Sequence, residues 1–124
     1  MILRYNTPRM THTINTRLIE PATTVVEISG RLHLGNALSY AETSVKRLIA
    51  DGSRKMVLDL AGLDFIDSAG VGMLISCSGE MDHAGGALRI AGAHGPVAKT
   101  FDVVHMSRIA ALDPDVETAC RNLP

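Results

Sequence analysis

A hydroxyl set among carboxylates and glycines is the chain's most reactive grouping. In the stretch Leu58-Asp59-Leu60-Ala61-Gly62-Leu63-Asp64-Phe65-Ile66-Asp67-Ser68-Ala69-Gly70-Val71-Gly72, Ser68 directly follows Asp67, and Asp64 lies just upstream. An apolar strand ends near Leu60, a short loop follows, and a helix starts at Ser68. The serine therefore suits the N-cap, its hydroxyl accepting an early helical N–H. Asp64 and Asp67 favour the positive end of that helix dipole. Gly70 and Gly72 fall in its first turn, where each costs up to about 1 kcal/mol relative to alanine. Two readings account for them equally well: close approach of a partner backbone, or tight packing of the turn against the protein's own strands. Serine-hydrolase chemistry is disfavoured, because Ile66 stands where the G-x-S-x-G elbow needs glycine and no histidine can be assigned to the serine.

Periodicity predicts the elements that place this loop. Thr11 to Ile19 mixes β-branched and polar residues as a strand, Glu20-Pro21-Ala22 turns, and Thr23 to Ser29 is a clearer strand ended by Gly30. The turn is so short that the two strands pair as an N-terminal β-hairpin. From Leu34 the period becomes helical: Leu34, Leu38, Ala41, Val45, Leu48 and Ile49 share one face, with Glu42, Lys46 and Arg47 largely outside and Gly52 as the stop. Lys55 to Leu60 is a short apolar strand of the kind buried on both faces. A second helix runs from Ser68 to His83, Gly85-Gly86 turns, and Ala87 to Ala91 is a strand. Gly95-Pro96 starts a short helix with Val97, Phe101 and Val104 inward. Ile109 to Leu112 forms a last short strand, and Asp113-Pro114 caps a helix whose inner face is Val116, Ala119, Cys120 and Leu123. A hairpin followed by alternating helix and strand implies an α/β fold with a mixed, mainly parallel β-sheet packed by α-helices.

With 124 residues, 46% of them hydrophobic, the chain fits one domain whose core needs neither disulfides nor a metal. No cofactor is expected. The 3% aromatic content leaves that core to Leu, Ile, Val, Met and Ala. A net charge of -1, with both signs spread along the chain, lacks the clustered Lys and Arg of a nucleic-acid footprint. Cys77 and Cys120 stand in no metal or redox spacing and read as buried small hydrophobes. His12, His83, His94 and His105 read as surface residues at turns or element ends. Gly92-Ala93-His94-Gly95 does not match a dinucleotide loop. No apolar run reaches the roughly 20 residues of a membrane helix, and Met1 to Arg9 lacks a signal-peptide core, so the expected location is the cytoplasm. Residues 1-9 read as a loose extension, with Met10 a second candidate start, and residues 10-124 as the domain. No exposed apolar stripe sets an oligomeric state.

The run LDLAGLDFIDSAGVG resembles the signature of the STAS domain, in which a V-x-L-D-L strand leads through a loop to D-S-[STA]-G-[LVI]-G at a helix start. It is most similar to the single-domain anti-sigma factor antagonists, over about residues 10-124. The resemblance implies a STAS-type fold and a binding module that catalyses nothing. In that family the serine matching Ser68 is phosphorylated by an anti-sigma factor that is itself a serine kinase, and a PP2C-type phosphatase reverses the mark. The dephosphorylated form binds the anti-sigma factor and frees the sigma factor. Carried onto this chain, the partner-binding surface comprises Asp64, Asp67, Ser68, Ala69, Gly70, Gly72 and His33, with Asp67 orienting the hydroxyl or its loop.

The physics of such a switch is separate from the resemblance. Phosphorylation adds about -1.5 to -2 charges, which a helix N-terminus can accept. Beside Asp64 and Asp67 the fold itself gains little, so the larger effect falls on a partner docked over the loop, as repulsion with little refolding. Moving that interface from mostly bound to mostly free takes roughly 5.5 kcal/mol of differential binding. The chain departs from the family in two places. Gly30-Arg31-Leu32-His33 has histidine where the pattern G-x-[LIV]-D has aspartate; this histidine reads first as a solvent-exposed or structurally satisfied residue, and otherwise makes the site less acidic and, when protonated, attractive to phosphate. His105-Met106 replaces the usual Gly-Leu before the last strand. Two other classes stay open: a STAS scaffold or transport-complex subunit that binds its partner without phosphorylation, and a nucleotide-binding protein.

Overall fold

The structure is a computed structural model describing residues 3–5, 12–19 and 22–124, the first two stretches as backbone alone. Strands β1 (Leu3–Tyr5) and β2 (His12–Ile19) pair antiparallel, and β2 pairs antiparallel with β3 (Thr23–Leu32), Ile19 facing Thr23. That is the expected hairpin. Leu3–Tyr5 thus adds a strand within the segment read as a loose extension, while Glu20 and Pro21 of the expected turn, and the side chain of His12, lie outside the described residues.

The β-branched run opening β3 continues the sheet in parallel. Val25 faces Val57 of β4 (Lys55–Asp59), and Leu32 faces Ile66 of β5 (Leu63–Ile66). β4 pairs in turn with β6 (Ala87–Ala91), and β6 with β7 (Ala111–Asp113). The sheet order is β1-β2-β3-β4-β6-β7, with β5 set against β3, so the fold is α/β with a mixed, mainly parallel sheet. Helices α1 (Asn36–Ala50), α2 (Ser68–His83) and α3 (Gly95–Val103) pack on one face of it. There Leu38, Ala41, Val45 and Ile49 of α1 and Leu74, Cys77 and Met81 of α2 join Val26, Ile28, Met56, Leu58 and Ile90 of the strands in one buried cluster. The other face is covered more thinly: α4 (Val116–Asn122) sets Ala119 over Val25, Val57 and Ala91, with Val116, Cys120 and Leu123 half-buried around it.

Several local expectations change. Gly30 does not end its strand: at φ 90 it forms a bulge, donates its N–H to Gly62 O at 2.9 Å, and lets β3 run on to Leu32. The loop expected between Leu60 and Ser68 contains β5. Leu34, placed by periodicity on the buried face of α1, precedes that helix and is 75% exposed. The last strand forms at Ala111–Asp113, since a 3-10 turn at Met106–Arg108 leaves Ile109 half in solvent. The cap of α4 is Asp115, whose carboxylate accepts the Thr118 N–H at 2.7 Å, and Asp113 serves elsewhere. His105 holds a left-handed backbone at φ 54, ψ 47, the conformation that glycine adopts freely. Both cysteines are free; burial and then Glu42 push the Cys77 thiol up to about 12, so it behaves as a core hydrophobe, whereas Cys120 is half-buried.

Candidate functional site

The carboxyl ends of β3 and β5 meet the start of α2, and Asp67 is the joint. Its backbone is extended (φ -102, ψ -177), and its Oδ1 accepts the Gly70 N–H at 2.8 Å, which makes it the N-cap of α2. Its Oδ2 accepts the Leu34 N–H at 2.9 Å, and its own N–H donates to Leu32 O at 3.2 Å. Three bonds from one residue therefore stitch the exit of β3 to the first turn of the helix. Ser68 is not the cap but the first helical residue. The reason is the second oxygen: a serine hydroxyl can cap the helix, but it cannot also hold the Leu34 amide on a separate atom.

Partial burial pushes the Asp67 carboxyl up, but the amides of Leu34 and Gly70, the charge of His33 and the Ala69 amide outweigh it and hold the group below its ordinary value of 3.8. A carboxyl lowered on folding stabilises fully above its unfolded value, and that stabilisation is lost as pH falls through the folded value. Replacing Asp67 with Ala is expected to cost about 2 kcal/mol at neutral pH, roughly half from the cap and half from the Leu34 bond. Asp67→Asn keeps one acceptor and is expected to cost about 1 kcal/mol. Denaturant titrations of wild type and Asp67→Asn check the sign: the gap holds from pH 7 to about 4 and narrows in more acidic solution. A gap of constant size down to pH 2 would show that the carboxylate charge plays no part.

The geometry separates the two glycines. A Cβ on Gly70 would lie 2.6 Å from Ile66 Cγ1 and 2.7 Å from Leu32 O, so the first turn of α2 is pressed onto the ends of β3 and β5. Gly70 thus has an internal reason. Gly72 is exposed, with nothing within 4 Å of an added Cβ, and internal packing does not explain it.

Around this joint the structure gathers the residues picked from sequence. Ser68 is exposed, and its hydroxyl has no hydrogen-bond partner among the described residues. Ala69 is half-buried, Asp64 is exposed on β5, and His33, just past the end of β3, is half-buried between Leu32 and Leu34, the two residues bonded to Asp67. Two features escaped sequence reading. Leu34 projects into solvent beside the cap, its amide pinned by Asp67. Arg31 and Phe65 are cross-strand partners, with the guanidinium 4.3 Å above the ring, a pairing invisible until β5 is known to be a strand. Among the described residues no cluster of three or more His, Cys, Asp or Glu could hold a metal, and no helix is long and apolar enough to cross a membrane.

The STAS domain family model matches residues 13–119. Among solved structures, the fold is similar to an anti-sigma factor antagonist from Mycobacterium paratuberculosis, with 17% identity, coverage of 96% of this chain and 98% of that one, and a TM-score of 0.79. It is similar to the Bacillus cell fate determinant SpoIIAA in its phosphorylated form, with 18% identity, coverage of 87% and 97%, and a TM-score of 0.67. It also resembles part of the murine Slc26a9 anion transporter, with 15% identity, coverage of 90% of this chain and 22% of that one, and a TM-score of 0.66. At these identities the likeness to the solved structures is one of fold.

Proposed function

Because this chain belongs to the STAS domain family, we propose that it is an anti-sigma factor antagonist whose partner binding is switched by phosphorylation of Ser68. The observation that carries this reading is the division of labour between Asp67 and Ser68. With Asp67 capping α2, the Ser68 hydroxyl has no structural duty and stands exposed at the helix start. A phosphate there leaves the cap bonds in place and changes the surface instead. It adds about -1.5 to -2 charges beside Asp64 and Asp67, so a partner seated over the loop meets concentrated negative charge.

On this reading the unmodified chain sequesters an anti-sigma factor that is also a serine kinase, frees the sigma factor, and so acts in transcription in a bacterial cytoplasm. The chain is the kinase's substrate, and a PP2C-type phosphatase restores the binding form. Asp64, Asp67, Ala69, Gly70, Gly72 and His33 would form the partner surface around Ser68. The likeness to part of a transporter supports a second reading, a module that binds its partner constitutively.

Mass spectrometry of the protein from its own host, together with quantitative pull-down of the host anti-sigma factor, separates the two. Ser68→Ala is expected to bind at least as well as the unmodified chain, and Ser68→Asp at least tenfold more weakly, a difference of about 1.4 kcal/mol. Equal binding by wild type, Ser68→Ala and Ser68→Asp would sink the switch and leave the constitutive module.

A further inference from the structure

We propose that His33 is the counter-charge for a phosphate on Ser68, so that the modified site takes up a proton and its negative charge becomes dependent on pH near neutrality. The proposal rests on the reading of Ser68 as phosphoacceptor. Its geometric basis is the stitching of β3 to α2: Leu32 O accepts the Asp67 N–H, and Asp67 Oδ2 accepts the Leu34 N–H. His33 is thereby held between two residues bonded to the immediate neighbour of Ser68. Its charge is felt at the Asp67 carboxylate, so the imidazole and the start of α2 share one electrostatic environment.

The His33 ring lies with Nδ1 3.3 Å from Leu34 O, on the residue whose amide Asp67 holds. From the α2 cap Asp67 faces it, and β5 carries exposed Asp64. On β3 itself, the Arg31 guanidinium is stacked over Phe65. The first turns of α1 and α2 carry no acidic residue. The charges of α3, Lys99 and Asp102, are both exposed. A phosphate dianion added next to the Asp67 carboxylate raises the affinity of any nearby base for a proton.

The ordinary imidazole value, about 6.5, and the second phosphoserine ionisation, about 6, lie close together. An imidazole and a phosphate held close together titrate as a coupled pair. The dianion favours imidazolium, and imidazolium favours the dianion. Below both midpoints the pair is a monoanion beside a cation and carries no net charge; above both it carries the full dianion. Repulsion of a partner by the modified chain accordingly weakens as pH falls through that range. Aspartate at this place, as in the family pattern, would give the opposite coupling.

The test uses full-length protein with phosphoserine built in at position 68 during synthesis, so its outcome is independent of whether a host kinase modifies Ser68. Histidine resonances and the phosphorus resonance are titrated in the unmodified and phosphoserine proteins. The His33 midpoint is expected to rise by about half a pH unit or more on modification, roughly a threefold gain in proton affinity. The phosphate midpoint is expected to rise in the order wild type, His33→Gln, His33→Asp. His33→Asn repeats the neutral arm should glutamine lower folding at this half-buried place. An unchanged His33 midpoint, a phosphate midpoint indifferent to the series, or one that moves with Arg31→Gln and not with His33→Gln would each overturn the proposal.

Discussion

Gly70→Ala is expected to lower stability by about 2 kcal/mol and Gly72→Ala to raise it by up to about 1 kcal/mol, although both residues stand near the start of α2. Helix propensity favours alanine at each position by the same amount, so the opposite signs come wholly from surroundings. At position 70 the methyl would sit 2.6 Å from Ile66 Cγ1 and 2.7 Å from the Leu32 carbonyl oxygen. The Ile66 side chain is buried in the core, and the carbonyl belongs to the sheet backbone and accepts the Asp67 N–H. Relief therefore requires lifting α2 and weakening the bonds that Asp67 makes to β3. Overpacking of this kind costs typically 1–3 kcal/mol. At position 72 the methyl meets nothing within 4 Å. For a domain of this size the pair is expected to melt on opposite sides of wild type, by roughly 4–8 °C for Gly70→Ala and up to about 4 °C for Gly72→Ala. Two melts displaced in the same direction would refute the packing account. Partner binding adds a second readout: if Gly72 exists for close approach, Gly72→Ala binds more weakly while melting higher.

Arg89→Met is expected to lose about 3 kcal/mol, chiefly because of what it leaves behind. Arg89 of β6 reaches across to Asp113 of β7, Nε to Oδ2 at 2.6 Å and Nη2 to Oδ1 at 3.3 Å, while Asn122 of α4 donates to the same Oδ1 at 2.7 Å. The Asp113 side chain is 2% exposed and that of Arg89 25%. Removing one partner from a buried pair strands the other charge, at 3–5 kcal/mol when burial is complete; the partial exposure of Arg89 argues for the lower end. Changing both residues to apolar ones, Arg89→Met with Asp113→Leu, is expected to recover part of the loss, because no charge is then left unpaired. Since Asp113 also holds Asn122, hydrogen exchange in α4 is expected to accelerate in Arg89→Met. A loss below about 1 kcal/mol would mean that water reaches Asp113 freely. This ion pair also explains why Asp113 is not the cap of α4: its carboxylate is already engaged, and Asp115 takes the cap.

Much of the molecule was legible in the chain because its signals are local. The bounds of α2, Ser68–His83, and of β6, Ala87–Ala91, follow from residues lying within them or just beyond their ends. The apolar run Lys55 to Leu60 announced a strand buried on both faces, and Met56, Val57 and Leu58 are fully buried. Gly52 and Gly85 stop helices through positive φ, which glycine adopts without the steric cost a side chain brings. The run from Asp64 to Gly72 also marked where to look, since side-chain types at a strand-to-helix junction need no distant partner to stand out.

What remained hidden depends on residues far apart in sequence. β5 is a strand because the bulged end of β3 offers it hydrogen bonds, not because of its own four residues. Leu34 has the helical spacing of a buried residue, yet Asp67 pins its amide outside α1 and the side chain is left in water. Ser68 and Asp67 are nearly equal as caps by residue type; the choice fell to Asp67 because a strand end arrives within reach of its second oxygen. Gly70 and Gly72 are alike in composition and spacing, and only the presence of Leu32 and Ile66 against one of them tells them apart. Residue types could name the site, but distances across the joint between β3 and α2 assigned each residue its part.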